Sequence, residues 1–365
     1  MVEFSENAAE GARPLRRRGW HLGWVRQGIR PAMPEAAAVA AAWHADESIV
    51  LPGAIDCSGF SGEIAAAQAL MEQTLNGAEV AELLEAPSYR KQLQGFPLVS
   101  VSAEEHDEQG IEKVYFDAED KAGELLAEGL WCKASWLSFI EEDASLRFRF
   151  SFGMEGFEDV AADPLSQQYA ADLCDAVFPE SRAITENPLI LSHLRQFLDA
   201  EPAFVERIVY FNAPNGGAQM HHDVERGHDG VVFAQLSGST FWLALAKPLL
   251  LDEFIAFVRD PAHQEVIAGL LPQAEDRQKL TALIADRAAL SEYLEEPDHE
   301  LVEAIMDRSP EFTGYLANRG YAHVLEAGDV LLMPQRDLDQ CVWHSVTCLG
   351  DEPGEGLSFA VRPAR

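Results

Sequence analysis

Cysteine is scarce and unpatterned. The 365 residues hold five (Cys57, Cys132, Cys174, Cys341 and Cys348), an odd number with no C-x-x-C spacing. That argues against a disulfide framework and for reduced thiols in a cytoplasmic compartment. Long apolar runs are missing too: none approaches the ~20 residues a membrane-spanning helix needs, so a soluble protein is expected. Positive charge is in short supply, with 27 Lys and Arg against 61 Asp and Glu and a formal net charge of −34. Such a field opposes phosphate backbones and anionic lipid, so neither nucleic acid nor membrane is an expected partner. Solvated acidic surface accounts for the charge, and attraction of a cationic substrate is the functional alternative. The chain also lacks internal repeats and low-complexity tracts.

What is present is ample apolar material, 47% of residues, enough to bury one large core or two ordinary ones. The one basic cluster, RPLRRRGWHLGWVRQGIRP at 13–31, is preceded by Glu3, Glu6 and Glu10; it reads as an N-terminal arm packed on an acidic body rather than a targeting peptide. Residues 61–86 have helical spacing, with Asn76-Gly77 as a stop and Pro87 closing a second short helix. Strand patterns follow at FPLVSV, EKVYFD and 146–152. In the last, Leu146, Phe148, Phe150 and Phe152 alternate with Arg147, Arg149 and Ser151, so the arginines face either solvent or a site. Residues 164–178 and 186–199 read as amphipathic helices, 205–211 as a strand, and 212–217 as a turn. A helical insertion is expected over 250–319, as a layer over the core, a dimer contact or a substrate lid, and strands return to the end of the chain, with a hairpin at 349–356 and a strand at 357–363.

The chemistry concentrates in 216–242. His221 and Asp223 form an H-x-D pair, and strand alternation would point both side chains to one face, within reach of one metal ion. A third ligand, His344, follows the stretch EAGDVLLMPQRDLDQCVW on a second apolar strand. Two His and one carboxylate make the facial triad that holds Fe(II) with positions left open for O2 and a chelating co-substrate. His222 should point to the opposite face, as packing or support for the ligands. His228-Asp229 offers the same two side-chain types but sits in a loop at 225–230. Cys341 and Cys348 flank His344 and read as buried small hydrophobes in preference to ligands.

H-x-D at 221–223, FAQLSGSTFW at 233–242, and GDVLLMP at 328–334 followed by His344 together resemble the JmjC (cupin-like) branch of the Fe(II)/2-oxoglutarate oxygenases, over roughly 205–365. The resemblance implies an α+β protein with a double-stranded β-helix (jelly-roll) core, N-terminal helices and a helical insertion, in which His221, Asp223 and His344 hold Fe(II) and 2-oxoglutarate is co-substrate. The domain reading is 1–130 for the arm and a mixed helical region, and 131–365 for the metal-bearing domain. Where much of that family has a Lys to bind the far carboxylate of 2-oxoglutarate, this chain has Thr240, and where a hydroxyl often stands before the first ligand it has Ala218. Arg362, in SFAVRP, resembles the Arg that some bacterial protein-hydroxylating relatives use. It is therefore expected to anchor the carboxylate by its fork of donors, with Thr240 contributing at most a hydroxyl bond. Relatives that halogenate have a small residue at the position of Asp223, so the resemblance implies hydroxylation or another oxidation. The expected substrate is a protein side chain, a peptide or an amino-acid-like small molecule, with a homodimer possible. Two alternatives stay open: a cupin-type metalloenzyme that does not use 2-oxoglutarate, and a non-catalytic JmjC-like binding module.

Overall fold

The computed structural model describes residues 2–17, 19–103, 110–136, 147–156, 164–214, 216–224, 227–296 and 299–364. Among them the chain begins with β1 (Val2–Ser5), β2 (Arg13–Arg17) and β3 (Trp20–Gln27), a small antiparallel sheet in the order β1-β3-β2. The expected arm is therefore a folded element. It does pack on acidic residues, Arg13 on Glu326 and Arg17 on Asp307. Its strands were hidden because Arg and Gly interrupt the apolar pattern. The helices α1 (Ala36–His44), α2 (Ser61–Leu75), α3 (Val80–Leu84) and α4 (Pro87–Gln92) follow, with β4 (Ile49–Leu51) after the first. Pro87 opens α4, a role suited to a residue with no N–H to satisfy.

Next come β5 (Leu98–Ala103), β6 (Gly110–Glu119), β7 (Leu125–Trp136) and β8 (Arg147–Met154). Leu146 lies outside the described residues. Position 130, expected to separate two domains, falls inside β7, which is hydrogen-bonded on both sides. The helices α5 (Pro164–Val177) and α7 (Pro188–Leu198) match the amphipathic reading of that region, and the short α6 (Arg182–Thr185), which that reading did not include, stands between them. Asn187 caps α7 by accepting from the N–H groups of Leu189 and Ile190, with Pro188 in the first turn.

The strands β9 (Pro202–Asn212), β10 (Gly217–His221), β11 (Gly230–Gln235) and β12 (Ser239–Ala246) lead into the insertion. There α8 (Lys247–Arg259), α9 (Gln264–Leu270), α10 (Ala274–Leu283), α11 (Arg287–Leu294), α12 (Glu300–Met306) and α13 (Pro310–Asn318) stand between β12 and β13 (Ala322–Glu326), as the helical spacing of 250–319 predicts. The chain closes with β14 (Val330–Pro334), β15 (Val342–Cys348) and β16 (Gly354–Pro363). No helix among the described residues is long and apolar enough to cross a membrane.

Two antiparallel sheets carry the fold, a nine-stranded one ordered β4-β14-β11-β16-β9-β8-β7-β6-β5 and a four-stranded one ordered β10-β15-β12-β13. Period-two alternation gives each a face toward the other, where Val231, Phe233, Leu331 and Met333 of the large sheet meet Ala218, Trp242, Ala244, Val342 and Val346 of the small one. The outer face of the large sheet (Val209, Val232, Leu332, Phe359) packs on α1, α2 and α5–α7. The outer face of the small sheet (Met220, Phe241, Leu243, Trp343) packs on the insertion and on Leu15, Leu22 and Val25 of the arm. β11, β12, β14 and β15 are thus covered on both faces, which is why they read as nearly continuous apolar runs.

Two glycines fix the core connections. Gly217 has φ +148°, and a Cβ there would lie 2.0 Å from the Val346 carbonyl oxygen, so only glycine lets β10 approach β15. Gly328 has φ +93° and makes the turn in which the Asp329 carboxylate accepts from the N–H groups of Gly53 and Glu326 and pairs with Arg30. The Gly-Asp pair before β14 is therefore a turn that also ties down the segment after the arm.

Candidate metal centre

β10 and β15 lie side by side, with His221 directly opposite His344. Their rings are 4.3 Å apart between centroids. The Asp223 carboxylate meets both, Oδ1 3.4 Å from His221 Nε2 and Oδ2 3.4 Å from His344 Nε2. One ligand atom from each residue can be chosen so that all lie within 4.8 Å of one another. Two ligands about 2.1 Å from one ion and at right angles are roughly 3 Å apart, so the set fits a single ion with little rearrangement. The donor set, two imidazoles and a carboxylate, suits a first-row transition metal such as iron.

The tautomers agree with that use. His221 Nδ1–H donates to the Gln219 carbonyl at 2.7 Å, which leaves the Nε2 lone pair directed at the other ligands. His344 is buried, with Nδ1 turned toward the Val342 carbonyl, and Trp242 stacks along its ring at 5.4 Å. The expectation that His221 and Asp223 share one strand needs correction, since β10 ends at His221. Beyond it the backbone is satisfied by local side chains instead of a ladder: Val224 N–H donates to His222 Nδ1, and His228 Nε2–H donates to the Asp223 carbonyl. Hence His228 buttresses Asp223 through its backbone. Part of that loop, 225–226, lies outside the described residues.

His222 points away from the pocket, as alternation predicts, donating from Nε2 to Glu295 at 2.8 Å and meeting the Trp343 ring edge to face. Cys341 and Cys348 are buried and belong to no ligand group among the described residues. Burial pushes the Cys341 thiol up to about 12 and raises that of Cys348, which keeps both neutral. Ala218 is in the apolar interior between the sheets.

The cavity at the ligands is lined also by Tyr210, Asn212, Phe233, Trp242, Met333 and Ser358, and its volume is about 20 Å3. That is room for an ion or a water molecule. Sequence reasoning missed Tyr210, Asn212 and Ser358 as lining residues, although the alternation of β9 and β16 puts them on the face that lines the cavity. Asn212 Oδ1 is buried and makes no hydrogen bond, an acceptor at the cavity wall. Arg149 is paired directly with Tyr210 across β8 and β9 and so shares its face, the site-facing alternative for the arginines of that strand.

Neither proposed anchor lines the cavity. Thr240 is buried, donates to Gln235 Oε1 at 2.7 Å and accepts from Trp242 Nε1 at 2.8 Å. Arg362 is also buried, on the same face of β16 as Ser358 but four residues farther along, and it donates to the Gly227 carbonyl and to Gln167 Oε1.

No family model and no curated protein matches the chain. Among solved structures it is similar to a 2OG-Fe(II) oxygenase family oxidoreductase from Burkholderia pseudomallei (10% identity, 92% of this chain and 93% of that one, TM-score 0.33). It is also similar to SnoN, a non-heme alpha ketoglutarate dependent epimerase from nogalamycin biosynthesis (13% identity, 90% and 83%, TM-score 0.37). A third is the Escherichia coli ribosomal oxygenase YcfD (12% identity, 87% of this chain and 49% of that one, TM-score 0.29). The functional reading rests on the three converging side chains themselves.

Proposed function

We propose that the chain is an Fe(II)- and 2-oxoglutarate-dependent oxygenase of JmjC type, built on a double-stranded β-helix, that hydroxylates a protein side chain, a peptide or an amino-acid-like small molecule. The observation that carries this is the convergence of His221 Nε2, Asp223 and His344 Nε2 from adjoining segments at one cavity between two facing sheets. Bound there, iron would supply a redox centre with free coordination positions for O2 and a 2-oxo acid. The residues of the chain supply the rest. Asp223 holds negative charge beside both imidazoles, and Trp242, Phe233 and Met333 line the cavity with apolar surface that limits water. Asn212 Oδ1 and the Ser358 hydroxyl offer polar contacts to a ligand at the same wall. Arg362 is the cation assigned to the distal carboxylate of 2-oxoglutarate, since an anion taken into this interior needs a partner of opposite sign.

A cupin-type metalloenzyme that does not use 2-oxoglutarate is the second reading, favoured by one feature: the cavity of about 20 Å3 takes an ion but no dicarboxylate until side chains move. Purified protein with Fe(II), O2 and 2-oxoglutarate, assayed for succinate with and without candidate peptides, separates the two. The oxygenase reading expects succinate that depends on His221 and His344. Metal binding with no succinate, and no heat of 2-oxoglutarate binding, transfers the assignment to the second reading.

A further inference from the structure

β10 carries the proposed metal ligand His221, yet among the described residues it is the last strand of the small sheet, paired only with β15. Its other edge presents backbone groups that a further strand would satisfy. Three acidic residues around α12 stand in that place. Asp307 accepts from the Met220 N–H at 2.9 Å, while Arg17, ion-paired to Asp307 at 2.6 Å, donates to the Ala218 carbonyl at 3.0 Å. Glu303 accepts from the Gln219 side chain at 2.8 Å. Glu295 accepts from His222 at 2.8 Å and from the buried Lys247 at 2.6 Å. Ala218, Gln219, Met220 and His222, the residues on either side of His221, are thus held from outside, Met220 also by its side chain, which is packed in the apolar layer of the insertion.

We infer that the helical insertion is a brace for the metal centre: Glu295, Glu303 and Asp307 take the position of a missing fifth strand and fix where His221 and Asp223 stand relative to His344. This rests on the metal reading above. It gives the insertion a role distinct from a lid or a dimer contact, because its acidic residues engage the back of the ligand strand and leave the cavity side alone. His222 links the two sides: its neighbours in sequence are both metal ligands, and its ring contacts Trp343, the neighbour of the third. Glu295, Glu303 and Asp307 are positioning residues, acting through β10.

The test compares Mn(II) affinity, the Co(II) absorption spectrum and the unfolding midpoint of metal-free protein for the wild type and for Glu295→Gln, Gln219→Leu and Asp307→Asn. Arg287→Ala is the control, since Arg287 pairs with Asp252 and the Pro248 carbonyl inside the insertion. The brace expects Mn(II) binding weakened about 10- to 100-fold in Glu295→Gln and Asp307→Asn, the range found for partners of metal ligands, with a shifted Co(II) spectrum. It expects the control to bind as the wild type does. Should Asp307→Asn fail to fold, Glu295→Gln and Gln219→Leu decide alone. Unchanged Mn(II) affinity and an unchanged Co(II) spectrum, with only the metal-free midpoint lowered, would show plain packing and overturn the brace. If instead the wild type binds no Mn(II), or His221→Ala binds it equally well, the metal reading falls and the brace with it.

Discussion

Glu180 and Glu355 are buried side by side beneath the N-terminal helices, 0% and 1% exposed. None of their four carboxyl oxygens has another hydrogen-bond partner among the described residues. Two carboxylates in that setting cannot both ionise cheaply, so the pair holds a proton. Burial raises Glu180 from 4.5 to about 7, and burial together with the Glu180 charge raises Glu355 well above the usual carboxylate range. The sign follows from linkage. The folded pair binds protons more tightly than the unfolded chain, so its favourable contribution is complete below about pH 4.5 and is lost as pH rises through about 7 and beyond. At 1.36 kcal/mol per unit, the Glu180 shift alone corresponds to on the order of 3 kcal/mol lost by alkaline pH. Glu355→Gln removes one charge and gives the remaining carboxylate an amide donor. Urea unfolding at pH 6 and pH 8.5 measures the outcome. The wild type should lose more stability than the variant between the two pH values, on the order of 1 kcal/mol from the Glu180 shift alone, and the variant should be the more stable at pH 8.5. Equal losses in both proteins would refute the shared proton.

The Arg17–Asp307 ion pair is nearly inaccessible, 3% and 4% exposed in its side chains. Arg17→Met should therefore destabilise by about 3–5 kcal/mol in denaturant unfolding, with Arg17→Met/Asp307→Leu recovering part of that loss; equal destabilisation by the single and double variants would show that the uncompensated charge is not the cause. Arg362→Ala should weaken 2-oxoglutarate binding by about 3–5 kcal/mol, read by calorimetry on the Mn(II) form, while metal content stays at the wild-type level; an unchanged affinity removes Arg362 as anchor.

The three candidate ligands could be picked out from residue type and order, and the structure brings their side chains within reach of one another. His221, Asp223 and His344 stand on or beside apolar strands. The insertion was legible from its helical spacing, and its place between β12 and β13 follows from the strands on either side. Long-range pairing was not legible. The arm strand that carries Arg17 finds Asp307, and the metal strand borrows its second edge from helices that follow it by some 70 to 90 positions in the chain. No local periodicity encodes such meetings. β7 escaped notice because Glu128, Gly129 and Lys133 break its alternation, so position 130 did not read as the interior of a strand. The end of β10 was misplaced for a different reason: His222, expected as packing, and His228, which offered a second candidate ligand, satisfy the backbone just after His221 and let Asp223 leave the strand.

The most direct test of the account is metal stoichiometry by anaerobic equilibrium dialysis against Fe(II) or Mn(II), for the wild type and for His221→Ala, Asp223→Ala and His344→Ala. The account predicts one ion per chain in the wild type and loss of that ion in each variant, with far-ultraviolet circular dichroism unchanged. Full occupancy retained by His221→Ala and His344→Ala would contradict it.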